Sequence, residues 1–442
     1  MMKKTVVSKL PVQVEPLKKV SSFQLVRGMK DVLPSEHRFW SHVLGKSEEI
    51  AKAYGFSLIE TPVLEETGLF VRSIGKQTDI VEKEMFSFVD QGGENLSLRP
   101  EFTAGVVRAY IEHGMLNQPQ PVKMYSHGPV FRHERPQTGR YRQFHQFNFE
   151  LIGEAHPVAD AELIIVANVI FKELGMKINV HINSVGDAAC RPKYREVLVN
   201  YYRTKRKNLC EDCQMRLVKN PLRLLDCKNP QCQPFKAEAP QLVDWLCDDC
   251  KNHFMRVLEY LDEAEVIYNL NPHIVRGLDY YTRTAFEIFL EDEETGSQSA
   301  IASGGRYDSL IEQMGGRPTP AVGWAMGVER VINKIKEKNL PIPEPPRLEV
   351  FLAQLGDQAK KKSLVLFENL RREGFRVAQC FSKDNLKAQL EVANKTGAKL
   401  ALVLGQKEMI DGTIMIRDME AGVQEVVDFN KIVLELKKRL RP

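Results

Sequence analysis

Apolar positions along this chain change spacing repeatedly, and each change marks an element. Residues 35–54 repeat apolar side chains at helical spacing, with Ser35 as the predicted N-cap. Residues 55–64 are strand-like and interrupted by Pro62, which suits an edge or an interface. Residues 85–98 predict a hairpin around Gln91-Gly92-Gly93-Glu94, and Arg99-Pro100-Glu101-Phe102-Thr103 caps a helix running to about residue 114. Residues 121–132 predict a strand, a polar basic loop follows, and Phe147, Phe149 and Leu151 alternate along a return strand. Residues 160–174 predict an amphipathic helix and 178–185 another strand.

Between about residues 187 and 271 the character changes. This segment is charged and helical in pattern, and six of the eight cysteines fall between residues 210 and 250. Strand-rich sequence resumes at His273, so the segment reads as an insertion. Pro341-Ile342-Pro343-Glu344-Pro345-Pro346 is a stiff linker. Beyond it, buried-type strands at 349–354, 376–380 and 399–404 alternate with helical stretches at 358–373 and 386–396. That order predicts an α/β domain with a parallel sheet.

With 442 residues, two or three domains and a large core are expected, and a 43% hydrophobic content fits a globular chain. No apolar run approaches the ~20 residues of a membrane helix. The first twenty residues lack the apolar stretch of a secretory signal, and they read as a flexible extension punctuated by Pro11 and Pro16. The expectation is a cytoplasmic protein without membrane contact, its cysteines reduced. The formal charge is only +4, so affinity for a polyanion must come from local clustering. No Walker A sequence and no Gly-x-Gly-x-x-Gly in a βαβ setting is present, so any nucleotide is held by other means.

Four clusters carry candidate chemistry. Residues 131–150 gather Arg132, Arg135, Arg140 and Arg142 with Glu134, Gln143, Gln146 and Glu150. Guanidinium forks bind phosphate oxygens bidentately, so the loop suits a polyphosphate, and the return strand suits a small polar ligand beside it. In residues 275–287, Arg276 precedes a glycine that lets backbone approach a ligand, and Tyr280 and Tyr281 offer flat walls with polar tips. In residues 302–308, Gly304 and Gly305 are predicted to floor a ligand site that Tyr307 lines. In residues 320–330, Gly323 and Gly327 are predicted to allow tight strand–helix packing, with Arg330 early in the helix. Glu101 and Thr103 add a carboxylate and a hydroxyl.

Together these clusters resemble the histidyl-tRNA synthetases of bacterial type, which are class II aminoacyl-tRNA synthetases. The likeness covers residues 23–440, and the signatures stand in that family's order. Residues 35–64 are similar to class II motif 1, 131–150 to motif 2 and 320–330 to motif 3. Residues 275–287 and 302–308 are similar to the two histidine signatures. The resemblance implies an α+β class II synthetase catalytic domain, an antiparallel sheet flanked by helices, from residues 23–186 and 272–340. It adds a helical, cysteine-rich insertion at 187–271, a Pro-rich linker at 341–347 and an α/β anticodon-binding domain at 348–442, behind the extension of residues 1–22.

The activity so implied is histidine–tRNA ligation. L-Histidine and ATP give histidyl-adenylate and pyrophosphate, and histidine then passes to the 3′ end of tRNA(His). A homodimer and Mg²⁺ on the phosphates are also implied. By the resemblance Arg132 and Arg276 are catalytic, holding the α-phosphate from opposite sides. Arg330 would hold the γ-phosphate, and Glu134 and Phe144 would contact the adenosine. Glu101, Thr103 and Gln146 would take the α-amino group, and Glu150 and Tyr281 the imidazole, with Tyr280 and Tyr307 lining the same site. Phe102 and Asn148 stand where the family often has glycine, which bears on the shape of the site. The alternatives are a non-catalytic regulatory paralogue, which lacks the C-terminal domain, and a synthetase-like sensor of uncharged tRNA.

Cys210, Cys213, Cys227, Cys232, Cys247 and Cys250 form three close pairs. Any four of them would supply a structural Zn²⁺ site, and reduced, unbound thiols are the alternative. Arg376, Lys383 and Lys387 are candidate phosphate contacts in the last domain, and Lys437-Lys438-Arg439 reads as a solvated helix end.

Overall fold

The computed structural model describes residues 23–135, 139–291 and 300–441. The expected extension at 1–22, and Pro136, Gln137 and Thr138 of the basic loop, lie outside the described residues. The chain divides into two compact units, residues 1–342 and 343–442.

In chain order the first unit contains strands β1 (Ser57–Leu58), β2 (Leu64–Glu66), β3 (Ser87–Val89), β4 (Asn95–Leu98), β5 (Val122–Phe131), β6 (Gln143–Ile152), β7 (Ile178–Ser184), β8 (Tyr268–Leu270), β9 (Thr282–Leu290), β10 (Ala302–Arg306) and β11 (Ala321–Gly327). An eight-stranded sheet runs β1-β5-β6-β11-β10-β9-β7-β8, and β2-β4-β3 form a small sheet. The large sheet is antiparallel except for the parallel pairs β1–β5 and β7–β8 at its two edges.

Strand β6 explains how the sheet is used. Phe147, Phe149 and Leu151 alternate onto one face and are fully buried, with Phe149 stacked on Trp324 of β11 at 4.8 Å. Gln146, Asn148 and Glu150 take the other face. The apolar face packs against the helices His37–Ala53, Val158–Glu173, Asp248–Glu263 and Val328–Glu337 in one large core. Burial at ~25 cal/mol per Å² of apolar surface makes this the dominant stabilising contact.

Three local expectations change. Helix His37–Ala53 is preceded by Glu36, not capped by Ser35, and Glu36 pairs instead with Lys336 at 2.5 Å and Lys30 at 3.2 Å. Residues 55–64 do not form one strand: β1 joins the large sheet and β2 the small one, with Pro62 between them. Helix Val158–Glu173 is buried on most of its surface rather than amphipathic, and even its Asp160 is inside. Asp160 is held there by Arg306, with His253 at 3.3 Å, and Arg306 also donates to Asp308 at 3.0 Å and to the Glu154 carbonyl at 3.0 Å. Burial alone would raise the Asp160 carboxyl, but the Arg306 guanidinium holds it far below the ordinary carboxylate range.

Residues 187–271 belong to the first unit and are mainly helical, with a small core around Tyr194, Leu198, Tyr202, Leu217, Leu224 and Leu242.

The second unit holds β12 (Val350–Gln354), β13 (Val377–Gln379), β14 (Leu400–Leu404), β15 (Thr413–Asp418) and β16 (Gln424–Asp428), in the order β13-β12-β14-β15-β16. The three expected strands are parallel. The sheet as a whole is mixed, because β15 and β16 add an antiparallel hairpin that the sequence reading did not anticipate. The helices Asp357–Arg372 and Ile432–Leu440 pack in one core of this unit, and Leu386–Lys395 packs in another. Arg376, expected to be available to phosphate, donates to the Arg347 carbonyl at 2.7 Å and lies 3.5 Å from Glu349.

Candidate active site

A cavity of about 370 Å³ opens over the polar face of β6, β9, β10 and β11. Glu101, Thr103, Arg132, Glu134, Phe144, Gln146, Arg276, Tyr280, Tyr281, Tyr307 and Arg330 all line it. Each comes from a different local device. Glu101 and Thr103 stand at the start of helix Thr103–Glu112, where Glu101 accepts the Thr103 and Ala104 N–H groups at 2.6 and 2.8 Å. Arg132 follows the end of β5, its Nε donating to the Pro100 carbonyl at 3.0 Å and its guanidinium 5.4 Å from the Phe144 ring centre. Arg330 lies in the first turn of helix Val328–Glu337 and donates to the Ala300 carbonyl at 2.8 Å.

Arg276 is aimed by two neighbouring strands. Glu287 of β9 and Ser303 of β10 are register partners, and Arg276 donates to both, at 2.8 and 2.7 Å. Its guanidinium lies 5.0 Å from the Tyr281 ring centre. Burial pushes the Glu287 carboxyl up, and Arg276 offsets part of that.

Glu150 does not line the cavity. It is 1% exposed, with Thr103 donating to Oε1 at 2.6 Å, Asn148 donating to Oε1 at 3.0 Å and Tyr307 donating to Oε2. All three of those side chains belong to residues that do line the cavity. Burial raises the Glu150 carboxyl to about 7, against the pull of these donors. Gly323 faces Glu150 across β6 and β11, and a Cβ there would collide with the carboxylate. That close approach, not strand–helix packing, is what requires glycine at 323. The Gly304–Gly305 pair does not floor the cavity either. Side chains there would strike Trp324 and the Tyr281 ring, so the pair permits close strand contact.

The field of the cavity is uneven. Arg132, Arg140 and Arg330 converge on one side, and burial together with the neighbouring Arg140 and Arg132 charges lowers the proton affinity of Arg330. Arg140 pairs with Glu134 at 2.7 Å. Burial raises the Glu84 carboxyl, and the Glu134 charge raises it further. Gln146 Oε1 and Arg276 Nε are buried without a hydrogen-bond partner. Arg135 does not line the cavity, and Arg142 instead binds the Arg27 carbonyl at 3.3 Å.

The sequence reading missed Asp79, Glu84, Glu287, Ser303 and Glu329, as well as Arg223 and Asp226 from the insertion, all of which line the cavity. Glu287 and Ser303 were legible, because each stands inside a signature on a site-facing strand position. Asp79, Arg223 and Asp226 carried no local signal.

The cysteines do not form one pool. Cys210, Cys213, Cys227 and Cys232 bring their sulfurs within 4.8 Å of one another, while Cys247 and Cys250 lie apart from them with Asp187 and Cys190. The Cys210 and Cys227 sulfurs are 3.8 Å apart, and the Cys210 N–H donates to Cys232 Sγ at 3.3 Å. All of these cysteines are free. No helix among the described residues is long and apolar enough to cross a membrane.

Residues 28–331 match the family model described as histidyl-tRNA synthetase, and residues 349–439 match the one described as anticodon binding domain. The chain is 45% identical over 419 residues to histidine–tRNA ligase of Dehalococcoides mccartyi, covering 95% of this chain and all of that one. It is 44% identical over 415 residues to histidine–tRNA ligase of Pelotomaculum thermopropionicum, covering 94% of this chain and 97% of that one. Among solved structures, apo histidyl-tRNA synthetase of S. aureus superposes with a TM-score of 0.78 at 34% identity, covering 94% of this chain and 100% of that one.

Proposed function

The chain belongs to the histidyl-tRNA synthetase family and is a histidine–tRNA ligase, and on that premise we propose how its own residues perform the reaction. Residues 23–186 and 272–340 carry out the chemistry, residues 348–442 bind the anticodon end of tRNA(His), and the insertion at 187–271 borders the site through Arg223 and Asp226.

The observation that carries this reading is the convergence of Arg132, Arg276 and Arg330 on one cavity with Glu101, Thr103 and Gln146. Carboxylate attack on the α-phosphorus of ATP builds negative charge at that phosphate and on the departing pyrophosphate. Prepositioned guanidinium groups stabilise that charge more in the transition state than in the ground state. Arg276, held by Glu287 and Ser303, needs little reorganisation to do so. Arg132 takes the α-phosphate and the histidine carboxylate, and Arg330 takes the γ-phosphate. Phe144 stacks beside the adenine, and Glu134 contacts the adenosine.

Histidine is read at both ends. The unpartnered Gln146 Oε1, with Glu101 and Thr103, accepts the α-ammonium. Tyr281 reads the imidazole, with Tyr280 and Tyr307 shaping its slot, and Glu150 acts on it from beneath the cavity through Thr103, Asn148 and Tyr307. A site whose buried polar groups match both ring nitrogens rejects apolar isosteres, which would leave those groups unpaired. Glu84 and Glu134, two neighbouring carboxylates, would hold the Mg²⁺ ion that accompanies ATP. Such an ion, when bound, neutralises phosphate charge.

Three further features complete the proposal. Cys210, Cys213, Cys227 and Cys232 hold a structural Zn²⁺. Four thiolates close a tetrahedron, and Zn–S bonds of ~2.3 Å require sulfurs about 3.8 Å apart, the separation of Cys210 and Cys227. The active form is a homodimer, supported by Leu64, Phe88 and Val89, which stand exposed on the small sheet beside the motif 1 segment. The protein works in the cytoplasm, where its thiols stay reduced. ATP–pyrophosphate exchange tests the reading. It is expected with histidine and with none of the other amino acids, and exchange driven equally by other amino acids would overturn the assignment of the histidine-reading residues.

A further inference from the structure

The insertion has a second cluster, at its root. Asp187 and Cys190 stand three positions apart where the chain leaves β7, and Cys247 and Cys250 stand three positions apart where helix Asp248–Glu263 brings it back. Their ligand atoms all lie within 4.8 Å of one another. The Cys190 and Cys250 sulfurs are 3.8 Å apart, Cys190 Sγ is 3.4 Å from Asp187 Oδ1, and Cys247 Sγ is 3.9 Å from the same oxygen. A tetrahedral ion with bonds of ~2.3 Å to sulfur and ~2.0 Å to oxygen requires edges of about 3.8 Å between sulfurs and about 3.5 Å between sulfur and oxygen. The Cys190–Cys250 and Cys190–Asp187 separations match those edges, the Cys247–Asp187 separation is slightly longer than its edge, and the sulfur–sulfur separation is far too long for a disulfide.

We propose that Asp187, Cys190, Cys247 and Cys250 form a second, structural metal site for a zinc-type divalent cation, clasping the two ends of the insertion together. Three thiolates and one carboxylate give a closed four-ligand set with no position for water, so the ion is structural and not catalytic. Bound to a divalent ion, the set carries two net negative charges. Arg191, next in sequence to Cys190, and Arg283, 3.9 Å from Asp187, stand beside it. The Ala189 and Cys190 N–H groups donate to Asp187 Oδ1 at 2.9 and 3.3 Å, which orients the carboxylate as outer hydrogen bonds orient ligands elsewhere.

The surrounding backbone is specified for this turn. Gly186 has φ +62°, and a Cβ there would stand 2.6 Å from Cys190 Sγ. Arg283 holds a left-handed φ of 51°, fixed by hydrogen bonds of 2.8 Å to the Gly186 carbonyl and 2.7 Å from the Val185 N–H. The clasp reaches the active site through Arg191, which donates to the carbonyls of Val185 and of cavity-lining Tyr281. Helix Asp248–Glu263 carries the other half inward, to His253 beside Asp160.

The test is independent of whether the Cys210 cluster holds an ion. Reduced apoprotein carrying Cys213→Ser and Cys227→Ser keeps only the root cluster. Titrated with cobalt(II) alone, it should take up one equivalent, with thiolate-to-metal charge-transfer absorption that zinc abolishes. No such absorption, or absorption unchanged by a further Cys190→Ser, overturns the site. Asp187→Asn keeps an acceptor for the turn, so it folds, and it should weaken cobalt(II) affinity at least tenfold, whereas an unchanged affinity overturns the four-ligand set. The zinc content of the Cys213→Ser, Cys227→Ser chain as purified gives a readout separate from the cobalt titration. One zinc ion per chain is expected, and none contradicts the proposal.

Discussion

Glu150 and Gly323 are register partners on adjacent strands, and the Glu150 carboxylate occupies the space a side chain at 323 would need. The glycine thus admits a buried acid beneath the cavity, where it gathers the Thr103, Asn148 and Tyr307 side chains. Gly323→Ala should displace Glu150 and loosen all three. Overpacking costs about 1–3 kcal/mol. Urea unfolding should show a loss in that range, and the KM for histidine should rise more than the KM for ATP. Equal effects on both substrates would contradict this assignment.

The Glu150 carboxyl has its midpoint raised by burial to about 7 from an ordinary 4.5. The folded chain therefore holds this proton where the unfolded chain has lost it. The resulting stabilisation is complete below pH 4.5 and is lost as the pH rises through about 7. Glu150→Gln should flatten the pH dependence of stability across that window. It should also remove an inflection near pH 7 in the histidine KM, leaving only the titration of the substrate imidazole. An inflection unchanged in the variant would exclude Glu150 as its source.

The Asp160–Arg306 pair lies inside the first unit with His253 beside it. Removing one partner of a buried pair strands the other charge, at about 3–5 kcal/mol. Asp160→Ala should therefore destabilise by that much in urea, with little sensitivity to salt. Because the folded Asp160 carboxyl is held far below the ordinary 3.8, its stabilising contribution is present above that value and fades only at more acidic pH. A loss under ~1 kcal/mol, the scale of an exposed pair, would contradict this account.

Phe88 and Val89 are exposed on the small sheet. Phe88→Glu together with Val89→Glu should move the mass in sedimentation from two chains toward one, without unfolding the monomer. A wild-type chain that sediments as one at micromolar concentration would dispose of the dimer.

Much of the fold was legible where burial follows periodicity. The alternation of Phe147, Phe149 and Leu151 marked β6, and the apolar runs after the linker marked β12, β13 and β14. The hairpin β15–β16 was missed because much of β16 is exposed and carries little apolar signal. The amphipathic helix expected at 160–174 proved buried on most of its surface, and the burial of Asp160 depends on Arg306, 146 residues away, which no local pattern reveals. The candidate site was legible where charged groups sit inside signatures, as at Arg132, Arg276 and Arg330. It was not legible where meaning depends on a partner far along the chain. Asp187 and Cys190 gained theirs from Cys247 and Cys250, 60 residues on.

The central claim is that Arg276, aimed by Glu287 and Ser303, stabilises charge at the α-phosphate. The most direct measurement is single-turnover formation of histidyl-adenylate in the wild type and in Arg276→Ala, with histidine affinity measured alongside. The account predicts a fall of about 10²–10³ in the adenylation rate constant, with histidine affinity changed far less. Adenylate formation at the wild-type rate in the variant would contradict it.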